Sequence, residues 1–232
     1  ATAAGTQTLS LTAGTGSVTF TGAVGGTTRL GTLTIASATD VTASAITASA
    51  ITQTAGTGTT TFNGALDTNA AGGIDLNGTA FAVNGTVATT TGGPVSITNS
   101  GALTIAAAGD MTLDGAFLQD GAGAVSTAGD ITTTNDNLQF TTAVTLTGNV
   151  ALSTGAGAGN IVFSSTIDAT TAGGQDLSLT AGTGAVTFTG AVGGSTALGD
   201  LTIVSAGDVT VSSTVATAGG GAVSITNSGV LA

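Results

Sequence analysis

Twelve aspartates and one arginine, Arg29, are the only charged side chains in this sequence; glutamate, lysine, histidine, cysteine, tyrosine and tryptophan are absent. General acid–base catalysis draws on His, Glu, Asp, Lys or Tyr, and only Asp is present in number. A serine or threonine nucleophile needs a base, and neither His nor Lys is there to serve. Transition-metal sites need Cys or His. Two roles remain for the aspartates. Carboxylates hold hard cations together with backbone oxygens, or they accept hydrogen bonds from backbone N–H groups at turns and strand starts. Four aspartates are placed for a calcium ladder. Asp40 and Asp208 hold equivalent positions in two near-identical segments, and Asp110 and Asp130 both end Ala-Gly-Asp triplets. Asp75 and Asp176 each follow Gly-Gly-x. The tandem GGxGxDxUx nonapeptide of calcium-binding β-rolls does not occur, so turn capping is the first reading and calcium the second.

Other motifs carry less. The glycine run AGGGA at 218–222 lacks the Lys-Ser/Thr of a phosphate loop and precedes no helix. Local threonine density at Thr47, Thr52, Thr54, Thr57 and Thr59–Thr61 raises ice binding, but no strict Thr-x-Thr recurs at one place. Only 6% of residues are charged and the net charge is −11. Nucleic acid and anionic membranes both require clustered Lys or Arg, so neither is an expected partner. A lyase-like enzyme groove needs basic residues beside acidic ones, and a single arginine cannot supply them. The chain is therefore not expected to be an enzyme or to need a cofactor other than, on the second reading, calcium.

The elements that must position these residues come from a repeat. Residues 7–42 and 175–210 agree at 29 of 36 positions, and VSITNSG recurs at 95–101 and 223–229. The two offsets, 168 and 128, differ, so the second copy lacks an internal block without losing its pattern. A stack of near-equivalent layers tolerates such a loss because each layer touches only its neighbours. Arg29 corresponds to Ala197 in the second copy, which makes it look dispensable.

Short apolar-polar-apolar triplets, such as Leu9-Ser10-Leu11, Val18-Thr19-Phe20 and Leu103-Thr104-Ile105, alternate with turn clusters such as AGTG, VGG and AGD. Period-two alternation marks strands. The series Phe20, Val41, Phe62, Val83 and the series Phe140, Phe163, Phe188, Val211 put the layer at about 20–25 residues. The expected fold is all-β: a right-handed parallel β-helix of roughly ten or eleven coils, one continuous segment over 1–232. The offset of 168 then amounts to about eight coils and the missing block to about two. Leu9, Phe20, Phe62 and Phe188 should point inward, and Phe140, Phe163 and Phe188 should form one aromatic stack. Disorder is disfavoured by the regular apolar residues and the single proline. No apolar stretch is long enough for a membrane helix, and the aromatic girdles of a membrane barrel are missing.

The phrases AGDVTVSS, GGAVSITNSG, TLTGNVALST and TFTGAVGG resemble the repeat regions of large bacterial surface proteins. They are similar to those of the filamentous-haemagglutinin-type adhesins and related β-strand-repeat exoproteins of Gram-negative bacteria. The resemblance covers essentially the whole chain. It implies a secreted or surface-anchored β-solenoid stalk, found outside the cell or on its surface. Zero Cys fits export in an unfolded state. The chain begins at Ala1 without a signal-peptide pattern and ends at Ala232 within a repeat, so it reads as part of a longer repetitive protein. The expected function is structural: a rigid stalk or a self-assembling filament unit of an extracellular fibre or adhesin. The expected partners are further copies, end to end, with host or surface glycans as the additional class. The alternative is a binding module for carbohydrate, calcium or ice using a regular Thr/Asp-rich outer face.

Overall fold

Val, Ile, Thr and Phe favour extended backbone because branched and aromatic side chains pack well on a pleated surface, and glycine at this density weakens helices. The computed structural model, which describes residues 1–232, accordingly contains short strands and no helix. The strands pair in parallel, each with its counterpart one turn of chain away. The molecule is a β-solenoid with three strands per coil.

Each coil visits three faces in turn. Leu9–Thr12 opens face one and Val18–Phe20 opens face two. Face three begins where Val24 bridges Ile46 and is continued by Leu66–Thr68 and Val87–Thr89. Along face one the in-register row runs Leu9, Leu33, Ile51, Ile74, Val95, Phe117, Leu138, Ile161, Val186 and Val209, ending at the bridge to Leu231. Ten steps at the usual inter-strand spacing of about 4.8 Å make a rod roughly 50 Å long. One apolar cluster of 42 buried residues runs from Leu33 to Val209, so no break divides the chain.

Coil length varies along this row. The shortest coil runs from Leu33 to Ile51 and the longest from Ile161 to Val186, and the corners absorb the difference. In the short coil Ile46–Gln53 bends from face three to face one as a single strand. The corner from face one to face two is tightest in the last coils. Only a short turn then separates Phe140 from Val144 and Phe163 from Ile167.

A second row on face one reads Leu11, Ile35, Gln53, Leu76, Ile97, Gln119, Phe140, Phe163, Phe188, Val211. The expected aromatic stack is present. Phe140–Phe163 and Phe163–Phe188 have ring centroids 5.5 and 5.6 Å apart and nearly parallel planes. Phe117 extends the stack at 5.2 Å with its ring tilted, because it descends from the neighbouring row. Such pairs add about 0.5–1.5 kcal/mol each beyond burial.

Two details of the spacing argument change. Opposite Phe20 stands Ala43, and Val41 pairs with Val18, so the true row on face two is Phe20, Ala43, Phe62, Val83. A slip of two positions still points inward, because side chains alternate with period two. Phe62 and Phe188 are fully buried, whereas Leu9 and Phe20 in the first coil are half-buried against the core.

The second change concerns the duplicated segments, which do not occupy the same place around the axis. Leu9–Thr12 lies on face one, but its twin Leu177–Thr180 lies on face three, between the face-one strands Ile161–Phe163 and Val186–Phe188. The offset of 168 therefore spans seven and two-thirds coils rather than eight. VSITN likewise moves from face one (Val95–Asn99) to face three (Val223–Asn227). Pairing inside the two copies is nevertheless the same: Leu9 with Leu33 and Leu177 with Leu201, Val18 with Val41 and Val186 with Val209. Leu9 and Val95 are four coils apart, while Leu177 and Val223 are two apart, so the block missing from the second copy is two whole coils.

Candidate functional site

The corners gather the polar residues. A carboxylate or side-chain amide just before a strand has its oxygen beside the backbone of the next coil, where an N–H is available. At the corner leading to face three, Asp110 Oδ1 accepts from Asp130 N (2.9 Å), and Asp130 Oδ1 accepts from Ala151 N (2.7 Å). Asn149 Oδ1 accepts from Asp176 N, Asp176 Oδ1 from Asp200 N and Asp200 Oδ1 from Ala222 N. At the corner leading to face one, Asn137 receives Asn160 N, Asn160 receives Ala185 N, and Asp208 receives Val230 N. Asp40, at the corner leading to face two, receives Thr59 N at 2.9 Å. These contacts stitch coil to coil and satisfy donors that the turns leave over.

The four calcium candidates thus share one role. Asp110 and Asp130 stand in one stack; Asp40 and Asp208 lie at two other corners. No three metal-ligating side chains come together. Asp75 and Asp176, alike in sequence context, also separate. Asp75 points outward within Ile74–Gly78 and receives Asn77 Nδ2, whereas Asp176 belongs to the corner stack. A shallow depression of about 280 Å³ lies between Asp130, Asn149 and Asp176, whose side chains are already engaged there with Ala151 N and with one another.

Arg29 is not the idle side chain its alanine twin implies. Its Nη1 donates to Ala48 O (2.7 Å) and Asp67 O (2.9 Å), and its Nη2 pairs with Asp67 Oδ2 at 2.8 Å. It clamps three successive passes of the chain. The alanine twin is a poor guide because the clamp's carboxylate partner, Asp67, lies outside the 7–42 segment that the two copies share.

Polar residues also enter the core where alternation calls for apolar ones. At the corner from face one to face two, fully buried Gln119 donates to Asn99 Oδ1 (2.8 Å) and accepts from Thr142 Oγ1 (3.1 Å). Asn99 and Thr142 both donate to Gly123 O. Gln53, three coils earlier in the same row, accepts Thr60 Oγ1 at 2.9 Å, but its buried Nε2 has no partner. Thr60 therefore faces inward, between Val41 and Phe81, and leaves the outer threonine set. Buried Thr89, Thr133 and Thr154 close the corner from face three to face one by donating to the carbonyls of Gly93, Asp136 and Gly159. The sequence signal for this network is a polar residue at an inward position, as in Phe117-Leu118-Gln119-Asp120.

The outer surface is plain. On face two the outward row reads Thr19, Thr42, Thr61, Ala82, Thr104, Ser126, Thr145, Asp168. Comparison of the chain with protein-family models, with curated proteins and with solved structures finds no match in any of the three.

Proposed function

We propose that this chain is a structural segment of an extracellular bacterial fibre or surface adhesin, serving as a rigid stalk. The observation that supports this reading best is the uninterrupted in-register core from Leu33 to Val209 beneath a surface whose hollows are shallow and whose corner aspartates and asparagines are engaged in coil-to-coil hydrogen bonds. A stack of this kind holds distance: ten steps place the outermost coils roughly 50 Å apart without a hinge. The few spread-out charges keep a largely neutral rod soluble.

By itself, the chain is also a filament unit. Its outermost coils carry strands with one unpaired edge, and Val223, Val230 and Leu231 are about half exposed. Unpaired edges of parallel strands template further pairing. Head-to-tail contacts of this kind do not close and yield fibres.

A second reading rests on the outward threonine row of face two, with one side chain per coil, which fits a binding module for glycans or ice. Ala82 and Ser126 interrupt it. Three measurements decide. Antibody labelling of intact producing cells, lost on external protease treatment, supports the surface stalk; labelling only after lysis refutes it. Electron microscopy of the purified chain should show thin rods that lengthen with concentration, and a population that stays monomeric removes the filament role. Ice-recrystallisation and glycan-array signals abolished by Thr42→Asp and Thr104→Asp would favour the binding module.

A further inference from the structure

We propose that Asn63–Gly64 is a self-modification site, at which the Asn63 side-chain amide is lost as ammonia with the help of Asn84 one coil on. Asn63 and Asn84 lie exposed at the corner from face two to face three, in register through Phe62 and Val83. Each precedes a glycine, and neither Gly64 N–H nor Gly85 N–H donates to a protein acceptor. A glycine nitrogen is not shielded by a side chain, and an unpaired N–H has no hydrogen bond to give up before it reacts. Asn84 Nδ2 donates to Asn63 Oδ1 at 3.0 Å.

The reaction follows from these positions. Hydroxide removes the Gly64 amide proton, and the nitrogen bonds to Asn63 Cγ. Charge collects on Oδ1, Nδ2 takes a proton from water, the Cγ–Nδ2 bond breaks, and ammonia leaves with hydroxide regenerated. Water then opens the five-membered imide at either carbonyl, giving aspartate or its β-linked isomer. No oxidant or reductant is needed. The Asn84 donor sits on the oxygen where negative charge develops, the arrangement that accelerates acyl chemistry. After the reaction the same donor faces a carboxylate, a stronger charge-assisted pair.

The two other Asn-Gly pairs lack this arrangement. The residue stacked over Asn84 is Ala106, which has no side-chain donor. Asn77 donates its own amide to Asp75 at 3.1 Å, and Gly78 is held extended in Ile74–Gly78 opposite Asn99, so its nitrogen cannot fold back onto Asn77. The consequence at Asn63 is a new carboxylate and, in the β-linked product, one extra main-chain methylene. There is little space for it: a Cβ built on Gly85 would approach Gly64 C to 2.5 Å.

The test incubates the folded chain at mildly alkaline pH and maps peptides by mass spectrometry for replacement of the amide by a carboxyl. Asn63 should convert about three- to tenfold faster than Asn84, a modest effect for an exposed oxyanion donor, with Asn77 slowest. Asn84→Ala should bring Asn63 down to the rate of Asn84 in the parent chain. In urea, where the coil contacts are gone, the three sites should converge. Equal rates in the folded chain, or an Asn63 rate indifferent to Asn84→Ala, would overturn the proposal. The folded-against-unfolded comparison stands even if the variant misfolds.

Discussion

Replacing Gln119 by leucine should destabilise the solenoid, while replacing Gln53 and Thr60 together by leucine and valine should stabilise it, although both glutamines sit in the same inward row. Gln119→Leu strands fully buried Asn99 Oδ1, and it strands Thr142 N, which the carboxamide oxygen accepts at 3.4 Å. Gly123 O keeps Asn99 and Thr142 as donors, and Thr141 N keeps the carbonyl of residue 119. Two orphaned groups at about 1–3 kcal/mol each, offset by roughly 1 kcal/mol from the apolar side chain, leave a net loss of about 1–5 kcal/mol. Gln53 starts from the opposite position, since its Nε2 is already unpaired and 1% of the residue is exposed. Leucine alone exchanges that orphan for the Thr60 hydroxyl, for a change near zero. Adding Thr60→Val removes the second orphan and continues the Val41–Phe81 row, so the pair should gain about 1–3 kcal/mol. Urea unfolding followed by circular dichroism, with midpoints compared at constant slope, measures all three variants. A Gln119→Leu midpoint that does not fall, or a double variant that loses stability, would refute the account of this corner.

Arg29→Ala should cost about 1–2 kcal/mol, since three hydrogen bonds to two neighbouring passes are lost from a side chain that is 19% exposed, and a thermal melt reads it. Phe163→Ala removes the middle of the parallel-ring stack and should cost about 3–5 kcal/mol; Phe163→Leu, which fills most of the space, should cost under half as much in the same urea assay. Asp130→Asn should stay within about 0.5 kcal/mol because the Oδ1 acceptor survives, as Asn149 and Asn160 already show, while Asp130→Ala should cost about 1 kcal/mol. Adding a chelator to the parent chain should leave its melting temperature unchanged if the aspartates only cap turns; a sharp fall would instead establish a calcium ladder at Asp110 and Asp130.

The relations readable in the sequence are those that link a residue to its own strand or to the next coil. Period-two alternation in triplets such as Leu103-Thr104-Ile105 sets which side faces in, and the steps from Phe140 to Phe163 to Phe188 count coils directly, because a parallel stack repeats each position once per turn. The aspartates' role as turn acceptors was legible for the same reason: Asp110 reaches only as far as Asp130. What lay beyond the sequence depends on how corner lengths add up around the axis. A near-identical segment keeps its internal pairing yet turns up one face earlier, because the intervening coils close after unequal lengths of chain, and no local pattern records the sum. The Arg29 clamp, the Gln119 corner and the Asn63–Asn84 contact have the same origin. Each joins residues from different coils that meet only once the register is set, so residue types supplied the donors and acceptors while the stacking decided which of them would touch.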